Sequence, residues 1–237
     1  MIPKIIHYIW LGGNPLPKIA EKCIESWKKF CPDYEIKKWD ESNLNIDINK
    51  YCRQAYDSKK YAFASDVLRY DILQKEGGIY LDIDVEILKP IDELLNAECF
   101  MGFERKNSIA PGLIVGAVKD SKDIANLLKM YDDDVYIKED GSINMKTICD
   151  RTFEYYKSHG LESEENVQII SDTVLYPQEY FNPIDLSTQK IKITDKTFTI
   201  HHYNASWYTK GMKFKRGVKT ILNKLTFGLF GKLFLKK

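Results

Sequence analysis

Ala64-Ser65-Asp66-Val67-Leu68-Arg69-Tyr70, followed at Gly77-Gly78 by Ile79-Tyr80-Leu81-Asp82-Ile83-Asp84, sets out a helix, a turn, a strand and an acidic loop in that order. Ala64, Leu68 and Ile72 recur at i, i+4 and i+8, the spacing of one buried helical face, so the pattern predicts a helix from about Tyr61 to Glu76. Gly77-Gly78 stops it, because glycine accepts the left-handed backbone that closes a helix. Ile79-Tyr80-Leu81 then reads as a buried strand that delivers Asp82 and Asp84 at its far end. Residues i and i+2 of extended backbone point the same way, so the two carboxylates can converge on a hard divalent cation such as Mn²⁺ or Mg²⁺. Such an ion keeps positions open for phosphate oxygens and neutralises the charge that grows on a leaving diphosphate. A bare D-x-D is more often a solvated loop than a metal site. Its context here raises its weight: Asp66 and Arg69 lie at i, i+3 on the preceding helix and can face one ligand rather than only each other.

Outward from this unit the chain alternates strands and helices. Ile5 to Leu11 is an apolar, aromatic strand closed by Gly12-Gly13, and Lys18 to Phe30 spaces Ile19, Cys23, Trp27 and Phe30 as a helix that stops before Pro32. Tyr34 to Trp39 reads as a strand and Tyr51 to Tyr56 as a short helix. Strands are expected at Glu98 to Phe103 and Gly112 to Val118, and helices at Ser121 to Tyr131 and Ile143 to His159. A last strand, Thr197 to His202, delivers His201, His202, Ser206 and Trp207. The alternation favours one mixed α/β domain with a central sheet over residues 1–207. No internal repeat interrupts it.

The chain has 237 residues, 44% hydrophobic and 29% charged, the balance of an ordinary soluble globular protein. Its five cysteines, Cys23, Cys31, Cys52, Cys99 and Cys149, form no C-x-x-C pair, which argues against a disulfide framework or structural zinc and for a reducing compartment. No signal peptide and no run of about 18 apolar residues is seen, so the expected location is cytoplasmic. The net charge of +1 conceals an asymmetry. Residues 208–237 carry nine Lys/Arg and no Asp/Glu, leaving 26 basic against 34 acidic side chains in residues 1–207. Within that tail Val218, Ile221, Leu222, Leu225, Leu229 and Leu233 recur at helical spacing, with Lys215, Arg216, Lys219 and Lys232 largely elsewhere on the wheel. The tail therefore reads as a basic amphipathic helix able to lie on an anionic membrane, the inner face of the plasma membrane. The competing reading is a helix docked on the acidic body. No nucleic-acid partner is assigned.

The run Ala64 to Asp84, with Ile2-Pro3-Lys4-Ile5-Ile6-His7-Tyr8-Ile9-Trp10-Leu11-Gly12-Gly13 before it, resembles glycosyltransferase family 32, the DXD sugar transferases. That group includes yeast-type initiating mannosyltransferases and bacterial capsule or O-antigen transferases, and is similar to the catalytic domain of the large glucosylating toxins. The resemblance covers roughly residues 2–104 and returns at His201 to Trp207. It implies a GT-A fold, a Rossmann-like nucleotide-binding mixed sheet flanked by helices. It implies a hexose-type sugar moved from a nucleotide-diphosphate donor, a UDP-sugar favoured, to a glycan acceptor, with a lipid-linked one fitting the basic tail, with retention of configuration and Mn²⁺ or Mg²⁺ as cofactor. Trp10 matches the aromatic against the nucleotide base. Asp66 and Arg69 match residues on the donor's sugar and phosphate, Tyr80 lies on the donor side, and Asp82 and Asp84 match the metal-linked pair. His201 or His202 completes the metal, while Ser206 and Trp207 donate to the leaving diphosphate. Asp66, Arg69, Asp82, Asp84 and Trp207 form the expected catalytic set. His7 is expected to be structural. Two alternatives stand beside this reading: a toxin-like transferase whose acceptor is a protein side chain, and a non-catalytic nucleotide-sugar or glycan-binding module.

Overall fold

In the computed structural model, which describes residues 1–184, 188 and 190–203, the chain opens with β1 (Ile5–Ile9), α1 (Lys18–Phe30), β2 (Glu35–Trp39), α2 (Lys50–Asp57) and α3 (Tyr61–Glu76). β3 (Gly78–Tyr80), β4 (Val85–Ile87), β5 (Cys99–Arg105), β6 (Ser108–Ile109) and β7 (Val115–Ala117) follow. The described chain then runs through α4 (Lys122–Lys129), α5 (Ile148–Ser158), β8 (Gln168–Ile170), β9 (Thr173–Tyr176), α6 (Gln178–Phe181) and β10 (Thr199–His201). The periodicity of α3 places Ala64, Leu68 and Ile72 inside, as expected, but Val67, Tyr70 and Leu73 are buried too. α3 is thus covered around most of its circumference.

The main sheet has the order β2-β1-β3-β7-β5-β9-β8, with β6 paired to β5, and β4 and β10 form a separate antiparallel ribbon. β2, β1 and β3 are parallel, β7 is antiparallel to both β3 and β5, and β9 is parallel to β5. Alternate side chains of each strand feed two cores. Cys99, Met101 and Phe103 of β5 join α2 to α5 in one, and Phe100 joins Trp27 of α1 and Phe181 of α6 in the other. The result is the mixed α/β architecture that the alternation of elements predicted.

Several differences from the sequence reading have physical causes. The helix expected from Ile143 begins only at Ile148. Residues 137 and 143 form an isolated antiparallel bridge, and Thr147 then caps α5 by a reciprocal capping box with Asp150. β9 and β8 went unpredicted although Thr173-Val174-Leu175-Tyr176 is rich in strand-forming residues. They are too short for a periodic signal, and pairing with β5 and with each other fixes them. All five cysteines are free. Among the described residues no helix is long and apolar enough to cross a membrane. Ser206, Trp207 and the tail 208–237 lie outside the described residues.

His7 acts as a pin between strands. Trp39 Nε1, a donor only, gives its hydrogen to His7 Nδ1 at 3.0 Å, so the ring proton sits on Nε2, which donates to the Gly77 carbonyl at 2.8 Å. One imidazole thereby ties β1 to the end of β2 and to the turn before β3. Gly78 must be glycine: its φ is +96°, and a Cβ there would lie 2.7 Å from His7 Nε2. The structural role expected of His7 is what the geometry gives.

Candidate active site

The chain goes from β1 through α1 to β2 on one side, then returns through α2 and α3 to β3 on the other side of β1. The strand order therefore reverses between β1 and β3, and in open α/β sheets ligands bind outside the carboxyl ends of strands at such a switch point. Trp10 leaves the carboxyl end of β1, and Asp82 leaves that of β3, whose register continues as Leu81 N–H donates to the His7 carbonyl at 3.1 Å. Trp10 is half-buried and donates its indole N–H to the Asn14 carbonyl at 2.6 Å, which fixes the ring at the mouth of the crevice.

Asp82, Asp84 and Glu86 are partly exposed while Ile83, Val85 and Ile87 are buried, so the i, i+2 alternation holds across the acidic loop into β4. α1 fastens this segment from behind. Trp27 Nε1 donates to the Val85 carbonyl at 2.7 Å, Ile87 N–H donates to Ser26 Oγ at 3.0 Å, and Lys22 pairs with Glu86 at 2.8 Å.

The Asp66 and Arg69 pair does more than brace a helix. Arg69, 3% exposed, donates to Asp66 Oδ1 at 2.9 Å, stands 3.4 Å from Asp82 Oδ1, and lies over the Tyr80 ring at 4.6 Å. Tyr80, 1% exposed, donates its hydroxyl to Asp82 Oδ1 at 3.0 Å. Tyr80, expected on the donor side, is thus placed as a buried support for Asp82. Burial opposes the Arg69 charge, yet Asp82, Tyr80 and Asp66 hold it more firmly protonated than usual. Burial pushes the Asp66 carboxyl up to about 7 against the pull of Arg69, with the Asp82 charge adding to the rise. Burial raises the Tyr80 phenol well above its usual range, leaving it a donor at any working pH.

The two histidines separate. β10 pairs with β4 in the register His201 to Val85, and successive side chains face opposite ways. His201 Nε2 meets Asp84 Oδ1 at 3.0 Å, whereas His202 Nε2 meets Glu86 at 2.8 Å. The structure brings His201, and not His202, to the acidic pair. Burial lowers the affinity of His201 for a proton, but the Asp84 hydrogen bond and the charges of Asp84 and Asp82 outweigh it, and its pKa is raised.

Among the described residues no three acidic, His or Cys side chains converge as a ready ligand cluster: Asp82 is turned to Arg69 and Tyr80, and Asp84 to His201. The donor set nevertheless suits a hard divalent ion, two carboxylates and one imidazole. Two observations agree with that. His201 Nδ1 is buried without a hydrogen-bond partner, and Asp82 Oδ2 borders the space left open by Gly112, where a Cβ would come within 2.3 Å of it.

Gly112 is a site residue that sequence reading missed. Its carbonyl accepts from Asp82 N–H at 3.1 Å, and an added Cβ would also lie 3.0 Å from Arg69 Nη1. Glu41 is another: its Oε1 accepts from Gly12 N–H at 2.6 Å and from the Tyr56 hydroxyl at 3.1 Å, holding the loop after Trp10. Neither a single glycine nor an exposed glutamate carries a sequence signal for such a role.

A mixed sheet that bears a D-x-D loop at its switch point, backed by a buried Arg and faced by a His, is similar to the GT-A fold. Residues 17–101 match the family model described as "Glycosyltransferase sugar-binding region containing DXD motif". By that match, residues 17–101 are similar to the DXD type of glycosyltransferase. Over 100 residues it is 39% identical to inositol phosphoceramide mannosyltransferase 3 of Schizosaccharomyces pombe, covering 40% of this chain and 28% of that protein. Over 194 residues it is 25% identical to an uncharacterised glycosyltransferase of Acanthamoeba polyphaga mimivirus, covering 77% and 76%. The chain thus spans little more than a quarter of the yeast relative and three quarters of the viral one. Among solved structures it is similar in fold to the PaToxG glycosyltransferase, with a TM-score of 0.51 and 21% identity over 66% of this chain and 69% of that one.

Proposed function

We propose that this chain moves a hexose from a nucleoside diphosphate donor, a UDP-sugar first among those to test, to a hydroxyl of a glycan acceptor, with retention of anomeric configuration. The observation that carries the reading is the meeting of Arg69, Asp82 and Tyr80 at the carboxyl edge of β3, beside the switch point and opposite Trp10. In this reading Trp10 offers its flat indole to the base. Asp66 takes hydroxyls of the donor sugar, and Arg69, cationic and desolvated, stabilises the charge that develops on the departing diphosphate. Ser206 and Trp207 donate to the same group.

Asp82, Asp84 and His201 would hold Mn²⁺ or Mg²⁺, which supplies neutralisation of the leaving diphosphate. The acceptor oxygen forms its bond to the anomeric carbon on the face from which the diphosphate oxygen departs, and the acceptor proton passes to that oxygen. The family domain and the mannosyltransferase name of the yeast relative support a hexose. The ceramide in that name, together with the nine-charge basic tail, supports a lipid-linked acceptor met at an anionic membrane surface. We place the enzyme in surface polysaccharide synthesis, cytoplasmic and peripheral on the inner face of the plasma membrane.

The test is a thermal-shift screen of the purified chain against UDP-, GDP-, CMP- and dTDP-sugars with Mn²⁺ and with EDTA. One donor should raise Tm only with the metal, by the stabilisation that ligand binding lends the native state. A donor that raises Tm equally in EDTA sinks the metal assignment, and no response to any donor favours a non-catalytic module.

A further inference from the structure

His201 is the one imidazole brought to the acidic pair, and what aims its ring comes from outside the D-x-D segment. Tyr203, two residues on, has φ +48°, a left-handed conformation that a bulky aromatic residue adopts only where its surroundings hold it. Its ring packs against the His201 ring with centroids 4.2 Å apart. Its hydroxyl accepts from Asn182 Nδ2 at 2.7 Å and faces the Glu104 carboxylate; burial first, and then that charge, raises the phenol's pKa. Asn182 is fully buried, and the same Nδ2 donates to the Glu104 carbonyl at 2.9 Å. Glu104, 9% exposed, is also held by Ser108 Oγ at 3.2 Å and by Arg105.

Hydrogen bonds this specific are spent on a residue whose backbone is strained and whose ring partner, among the described residues, is the candidate metal ligand. An imidazole edge left free would rotate about its side-chain bonds, and each competing orientation would weaken a metal bond. We propose that Tyr203, clamped through its hydroxyl by Asn182 and Glu104, is the positioning residue that presents the His201 imidazole to a divalent ion shared with Asp84. The inference rests on the metal reading above and extends it to Asn182 just after α6, Glu104 on β5 and Tyr203 just after β10. Tyr203 touches no reacting atom. It acts through His201.

The experiment measures Mn²⁺ affinity directly, by electron paramagnetic resonance titration of the donor-free protein, with Tm in EDTA as the control for folding. Tyr203→Phe keeps the ring and removes the clamp, and is expected to weaken Mn²⁺ binding about tenfold, the usual cost of losing an outer partner of a metal ligand, with little change of Tm in EDTA. Glu104→Gln keeps the shape of the acceptor and loses its charge, so it should weaken binding by a smaller factor; it decides the matter should Tyr203→Phe not fold. In a His201→Ala background Tyr203→Phe should cost nothing more, since a residue acting through His201 has nothing left to position. Wild-type affinity in Tyr203→Phe or in a folded Glu104→Gln, or additive losses in the double variant, overturns the proposal while leaving the metal site standing. A wild-type protein that binds no Mn²⁺ overturns both.

Discussion

At the scale of single residues, the space beside Asp82 depends on one missing side chain. Gly112 does not need a left-handed backbone, so alanine there meets only a steric obstacle, a Cβ 2.3 Å from Asp82 Oδ2 and 3.0 Å from Arg69 Nη1. Asp82 cannot retreat freely, because its N–H is tied to the Gly112 carbonyl and its Oδ1 to Tyr80. Gly112→Ala should therefore displace the carboxylate. It is expected to lower kcat/KM about 100-fold, the scale of a misplacement of about 1 Å in a reacting group, while costing about 1–3 kcal/mol of stability, as a locally overpacked side chain does. Gly141→Ala is the contrast: nothing lies within 4 Å of the added methyl, and its φ of +77° makes the cost one of backbone strain alone. That variant should keep full activity, and equal losses in the two would refute the steric account. Asp82, Asp84, Asp66 and Arg69 were legible in the sequence because D-x-D and the i, i+3 pair are patterns of residue type. Gly112 was not, because its significance lies in what approaches it from a strand 30 residues away.

At the scale of elements, the structure adds to the sequence reading mainly the reason each piece stays in place. The bounds of α1 and α3 agree with their periodicity, since long amphipathic runs with clear stops carry their own signal. That β4 is held by Trp27 and Ser26 of α1 depends on contacts 58 and 61 residues apart in the chain, and that β10 returns to pair with it depends on segments more than a hundred residues apart. The pairing also resolves a choice the sequence left open, sending His201 to Asp84 and His202 to Glu86. The pin between β1, β2 and the turn into β3 gives a pH prediction. Burial pushes His7 down to about 4, because a proton on Nδ1 would displace the Trp39 N–H and charge a buried ring. The folded state thus binds this proton less well than the unfolded chain, whose histidine titrates near its ordinary 6.5. Its contribution is fully present above that value and is lost as the pH falls toward 4, roughly 3 kcal/mol in all. Urea unfolding of wild type and His7→Gln at pH 7.5 and pH 5 isolates the effect from the other titrating groups. The variant should be less stable at pH 7.5 and change less between the two, and parallel pH dependences would remove His7 as the cause.

At the scale of the whole molecule, alternation of strands and helices revealed the mixed α/β class but not the seven-strand order, because β8 and β9 are short and gain their identity only by pairing with β5 and each other. Charge, by contrast, is fully legible without any structure. The tail 208–237 holds nine positive charges against a body with an excess of eight negative ones, so the two readings of the tail, on a membrane or on the body, differ in how they respond to salt and to lipid charge. Replacing Lys215, Arg216, Lys219 and Lys232 with Gln lowers the tail from nine charges to five while leaving its apolar residues and the catalytic region untouched. Each basic residue near an anionic surface is worth about 1 kcal/mol, so the quadruple variant should bind vesicles of mixed phosphatidylglycerol and phosphatidylcholine at least 100-fold more weakly, a factor well within the roughly 4 kcal/mol removed. Binding by wild type should fall as salt is raised from 0.1 M to 1 M, where the screening length shrinks from about 10 Å to about 3 Å. Activity on a soluble acceptor should be unchanged in the variant. Should the variant sediment with vesicles as wild type does, the tail's charges do not carry the binding, and membrane placement of the acceptor loses its support.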